Sequence, residues 1–210
     1  LEKGFYYDGY VVLKNDIEYN GEFRPIAYIN DCAPDGHKGE VFYGSTHDCG
    51  FKGEFDGKGH TVSGVIVTES HGGFFGSIIG SAYVHDFRLE NVVVKAAYSG
   101  GLTSQVYNTA VVENVYVSGE VDSSKATIDS SYATMGVFTS GLPVGSVTLK
   151  NCTVKVNRDF DLSNPEKTKV SVFGYGYTNR DGIFDNCSVI GSDRLYGSCA
   201  DENAGNIAYE

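Results

Sequence analysis

The side chains best suited to chemistry fall in a few places along the 210 residues. The block Asp56-Gly-Lys-Gly-His60 sets a carboxylate and an imidazole four positions apart, a spacing open to an acid/base pair. His85, Arg88 and Glu113 form a second candidate set: an imidazole, a guanidinium and a carboxylate that would need the fold to gather them. A zinc peptidase would need His-Glu-x-x-His on a helix, and none of the five His residues begins that motif. The five Cys show no Cys-x-x-Cys and no zinc-like Cys/His spacing. Cys32 and Cys49 flank a polar, Gly-rich stretch and are the expected disulfide, whose loop closure would be worth about 3 kcal/mol. Cys199 is left unpaired or bonded elsewhere.

Composition limits what can position these groups. The 27 Asp+Glu against 16 Lys+Arg give a formal charge of −11, which repels phosphates and argues against nucleic acid as a partner. Hydrophobic residues at 41% are too many for a disordered acidic tail. No run of eighteen apolar residues offers a membrane span, so membrane insertion is not expected. Position 1 is Leu, and the chain is read as part of a longer polypeptide. Gly is abundant (27 residues), as is Tyr (15), while Met occurs once, a β-rich and turn-rich balance.

The main signal is a repeat. Five segments share the template apolar-x-(Asn/Asp/Gly)-apolar-x-apolar: Val62–Val67, Val84–Leu89, Val112–Val117, Leu149–Val154 and Phe184–Val189. A weaker column follows at Gly73-Phe74, Gly101-Leu102, Gly136-Val137 and Phe173-Gly174. Apolar positions two apart face one side of a strand, and the polar residue between them tolerates the left-handed conformation of a bend. The spacing predicts an all-β, right-handed, single-stranded parallel β-helix of about five or six rungs, its hand taken from the general rule for crossovers. Val65, Phe87, Val115, Cys152 and Cys187 are expected to stack inside, and Gly64, Asp86, Asn114, Asn151 and Asn186 to form the bend column. Residues 1–50 read as an opening rung with an irregular capping loop, and 51–210 as the remaining rungs with long loop excursions, all in one domain.

Leu13-Lys-Asn-Asp-Ile17, the stretch Phe51-x-Gly-x-Phe-Asp-Gly-x-Gly-His-Thr-Val-Ser-Gly64, Gly73-Phe-Phe-Gly76 and the Asn-Cys starts at 151 and 186 resemble the GLUG-type right-handed β-helix modules of bacterial secreted and surface proteins. Such modules occur in adhesin-like proteins and in the N-terminal regions of IgA1-protease-type peptidases. The resemblance brings no catalytic residues. It implies a secreted or cell-surface module for adhesion, spacing, or binding a glycan or host protein. A substrate-positioning region of a peptidase whose catalytic domain lies elsewhere is an alternative.

Stacking gives each candidate site a structural alternative. Asp56 and His60 are accounted for by a tight turn, with His60 tipping an inward column beside Ala82, Ala110 and Val147. The outward columns are expected to read Ser63, His85, Glu113, Lys150, Asp185 and Ile66, Arg88, Tyr116, Thr153, Ser188. A complementary charge ladder is the preferred account of the first, ahead of a catalytic groove. A polysaccharide lyase or hydrolase of β-helix type would use His85, Arg88 and Glu113, and is the alternative enzyme reading. Asp31/Asp35, Asp122/Asp129, Asp159/Asp161 and Asp181/Asp185 are the acidic pairs where calcium would sit, but none fits a calcium motif, so solvated loop charge is preferred and no cofactor is expected. Binding is assigned instead to aromatic rings at Tyr116, Tyr132, Tyr175 and Tyr177, since exposed rings stack on sugar faces and anchor protein partners.

Overall fold

The computed structural model describes residues 8–28, 50–125, 133–141, 145–158, 168–174, 183–191 and 207–209. Within them the chain is all-β, with one short 3-10 turn at Ser123–Lys125. The strands are β1 (Tyr10–Val12), β2 (Ile17–Glu22), β3 (Glu54–Asp56), β4 (Thr61–Val67), β5 (Phe75–Ile78), β6 (Tyr83–Val94), β7 (Ser99–Gly100) and β8 (Thr103–Val106). They continue as β9 (Val111–Val121), β10 (Ala133–Gly136), β11 (Thr148–Lys150), β12 (Thr153–Val156), β13 (Thr168–Ser171), β14 (Ile183–Asp185), β15 (Cys187–Ile190) and β16 (Ile207–Tyr209). Every pairing between these strands is parallel, in sheets of eleven, three and two strands.

The large sheet repeats in register. Val11, Phe55, Val84, Val112, Leu149 and Phe184 lie side by side on successive levels. Phe55, Val84, Val112 and Leu149 are fully buried or nearly so, because period-2 alternation turns each of them inward. After the bend, Phe87, Val115, Cys152 and Cys187 continue the inward stack, followed by Val62, Leu89, Val117, Val154 and Val189. Phe51, Phe55, Phe74, Phe75 and Phe87 fill the same core from opposite sheets, their ring centroids 5.1–5.7 Å apart in mostly edge-on or tilted contacts.

The bend column is where the chain turns on each level. Asp86, Asn114, Asn151 and Asn186 all carry positive φ, between 51° and 54°. Asn186 donates its side-chain amide to Asn151 (2.7 Å), Asn151 to Asn114 (3.0 Å) and Asn114 to Asp86 (2.8 Å).

Three expected alignments are displaced. Val62–Val67 pairs with Leu89–Val94, not with Val84–Leu89, so Gly64 stands beside Asn91 and Val65 beside Val92. The reason is that each of these levels has a second left-handed bend, at Asn20, Gly64 and Asn91, whose local pattern matches the first. The partner of Val84–Asp86 is instead Phe55–Gly57, and the bend there is two residues longer: Phe55 to Thr61 spans what Val84 to Arg88 spans. Lys58 and Gly59 take the positive φ angles in that widened turn. His60 consequently does not join Ala82, Ala110 and Val147. It follows the turn, half-buried, with its Nδ1 3.0 Å from Asp16 Oδ1, and Gly53 lies beside Ala82. In the smaller sheet Gly136 pairs with Gly100, which leaves Gly101 beside Val137 and Leu102 beside Phe138, one place from the expected column. At position 136 a Cβ would stand 1.8 Å from the Thr139 carbonyl oxygen, so the backbones there approach too closely for any other residue.

Candidate functional site

The outward face of the large sheet gathers the polar groups. One column reads Tyr10, Glu54, Tyr83, Val111, Thr148 and Ile183, and two residues on the next reads Val12, Asp56, His85, Glu113, Lys150 and Asp185. Past the bend the column is Thr61, Arg88, Tyr116, Thr153 and Ser188. Asp56 and Thr61 therefore occupy the places expected for Ser63 and Ile66, as the longer bend requires.

His85 is on this outward face yet is only 8% exposed. The Tyr83 ring stacks on it at 4.1 Å, and carboxylates surround its edge. Its Nε2 lies 3.1 Å from Glu54 Oε1, and its Nδ1 lies 2.9 Å from Asp86 Oδ2 and 4.0 Å from Asp56 Oδ1. Burial pulls its pKa down, but the bonds to Asp86 and Glu54 and the charge of Asp56 outweigh that, and the net direction is upward. Asp56 is held at about 2, chiefly by Lys58, whose ammonium and backbone N–H both reach its carboxylate, with Tyr10 donating its hydroxyl at 3.1 Å. Asp86 is lowered by hydrogen bonds from His85 and then Asn114.

Glu113 belongs to a neighbouring arrangement. Lys150 reaches it at 2.9 Å and Tyr83 donates to it at 2.8 Å, and together they lower its pKa. Burial, reinforced by that hydrogen bond, pushes the Tyr83 hydroxyl up to about 12. Arg88 pairs with Glu90 at 2.7 Å, and its guanidinium sits 3.9 Å above the Tyr116 ring centroid, a cation–π contact. His85, Arg88 and Glu113 thus share one face; Tyr83 touches both His85 and Glu113, whereas Arg88 is tied to Glu90 and Tyr116.

Every carboxyl with a shifted pKa on this face is shifted downward, the opposite of what a general acid for glycoside cleavage requires. The arrangement is suited to presenting fixed charges, hydroxyls and rings. Tyr116 is the one expected binding tyrosine within the described residues; Tyr132, Tyr175 and Tyr177 lie outside them, as do Cys32, Cys49 and Cys199. Of the proposed calcium pairs, only Asp122 and Asp185 are described. Glu54, Tyr83 and the pairing of Asp56 with His85 were not singled out from the sequence. The available signal was alternation: Glu54 stands two before Asp56, and Tyr83 two before His85, so each pair had to share a face.

No protein-family model matches the chain, and neither the curated proteins nor the solved structures provide a match.

Proposed function

We propose that the chain is a right-handed single-stranded parallel β-helix of GLUG type, acting without catalysis as a binding module of a secreted or surface protein. Its ligand is an extended glycan, or a host-protein surface of similar chemistry, laid across the outward face. The fully parallel pairing and the stacked Asn column support the β-helix reading.

The observation that carries the binding reading is the Arg88–Tyr116 stack, next to Tyr83, Glu113 and Lys150. Parallel strands repeat every ~4.8 Å, so these groups meet a polymer at regular intervals. Ring faces suit sugar faces, and charges already held by neighbours need little ordering on binding. Single-site affinity is expected to be weak because many of the charges on the face are already paired.

A glycan array probed with the whole chain and with Tyr116→Ala tests this. Signal on a subset of extended glycans that falls in the variant supports the proposal. An empty array removes the glycan as the ligand, and equal signal from both proteins removes this face as its site.

A further inference from the structure

We propose that Asp56, His85 and Asp86 form a binding site for one divalent transition-metal cation of the zinc type. One ligand atom from each of the three lies within 4.8 Å of the other two. Bonds of about 2.0–2.2 Å from a tetrahedral ion place its ligands roughly 3–3.5 Å apart. The His85 Nδ1 to Asp86 Oδ2 and Asp56 Oδ1 separations, 2.9 and 4.0 Å, bracket that span, and a small side-chain movement brings all three onto one ion.

The carrying observation is the environment of the imidazole. Both ring nitrogens face carboxylate oxygens, Nε2 toward Glu54 and Nδ1 toward Asp86. A neutral imidazole carries one N–H and can donate to only one of them. The other contact sets lone pair against lone pair unless a proton or a metal cation lies between. Three carboxylates, Glu54, Asp56 and Asp86, converge on this one largely buried ring, and Lys58 offsets only Asp56. An imidazolium brings one positive charge to those three carboxylates, and a divalent ion would bring two. In this arrangement Glu54 accepts from Nε2 and fixes the tautomer that leaves Nδ1 as a ligand, the usual partner arrangement for a metal-bound His.

The positions are also rigid. Asp56 and His85 are directly paired across β3 and β6, and Asp86 is fixed by its left-handed bend and by the amide of Asn114. The bend itself does not call for a carboxylate, since Asn serves at 114, 151 and 186. One imidazole nitrogen with two carboxylates favours zinc, cobalt, nickel or manganese over calcium, which prefers an all-oxygen shell. Coordination positions facing solvent would be filled by water or by an oxygen of a bound ligand.

The test is calorimetric titration of the chelator-washed whole chain with Zn2+, alongside Asp86→Asn, His85→Gln and Glu54→Gln. Asp86→Asn keeps a bend residue used at three other levels, and its thermal unfolding confirms that it is folded. The expected result is one saturable equivalent in the wild type, affinity lost by at least about tenfold in Asp86→Asn and His85→Gln, and weakened about 10–100-fold in Glu54→Gln with the stoichiometry kept. No saturable binding to the wild type, or binding that folded Asp86→Asn and His85→Gln both retain, overturns the proposal.

Discussion

Asn151 donates its side-chain amide to Asn114 while its own carbonyl oxygen accepts from Asn186, which ties three successive levels together through one residue. It also holds φ at 51°, a conformation that Asn tolerates far better than most residues. Asn151→Ala therefore removes two hydrogen bonds and strains the bend, and is expected to destabilise by roughly 1–3 kcal/mol. Lys150→Ala, one position away, loses a partly exposed ion pair with Glu113 and should cost no more than about 0.5–1 kcal/mol. Urea unfolding of the two variants makes the comparison, and equal losses would contradict the assigned role of the bend.

Gly57 opens the widened turn. A Cβ there would stand 2.0 Å from Phe87 Cβ and 2.6 Å from the Asp86 carbonyl oxygen, both held by the core and the bend. Gly57→Ala is expected to destabilise by about 1–3 kcal/mol through overpacking. Gly59→Ala meets no atom within 4 Å and suffers only from its φ of 76°, so its loss should be smaller. Thermal unfolding of both variants ranks them.

Stability should fall in acid for an identifiable reason. Asp56 and Asp86 have folded pKa values below the ordinary 3.8, so the stability they contribute is full above that value and is lost as pH drops through the folded values, toward about 2 for Asp56. His85 acts in the opposite sense. Its folded pKa lies above 6.5, so its contribution is present below 6.5 and is lost as pH rises through the folded value. Asp56→Asn should flatten the acid limb of the melting temperature against pH, and His85→Gln the limb above pH 6.5. An acid limb left unchanged by Asp56→Asn would contradict the pairing with Lys58.

Cys152 and Cys187 are free, buried and neighbours on adjacent levels. Burial raises the Cys152 thiol, and Cys187, lowered by a hydrogen bond from Cys152, is shielded from reagent by its own burial in the folded core. Neither should react with an alkylating reagent until the protein unfolds, as followed by mass spectrometry over a denaturant series. Rapid labelling of Cys152 in native buffer would contradict the inward column.

How much of this could be read in the sequence depended on how local each feature is. The Asn column and the Cys152–Cys187 stack were legible because a strand-bend-strand segment repeats its own pattern. The register of Val62 was not, because Val62-Ser-Gly-Val and Leu89-Glu-Asn-Val satisfy the first-bend template while forming the second bend. Asp56 was noticed, but spacing along the chain pointed to His60, whereas the sheet sets it against His85 from the next level. The burial of His85 depends on Tyr83, Glu54 and Asp86 closing around it, and only the correct register assembles those groups.

Whether the outward face binds without breaking bonds is decided by incubating the chain with each extended polysaccharide it retains and measuring bound polymer and newly released chain ends in the same sample. The expected result is saturable binding that Tyr116→Ala and Arg88→Ala weaken, with no new chain ends. Release of chain ends that stops in Glu113→Gln or His85→Gln, with the fold intact, would contradict binding without cleavage and establish an enzyme in its place.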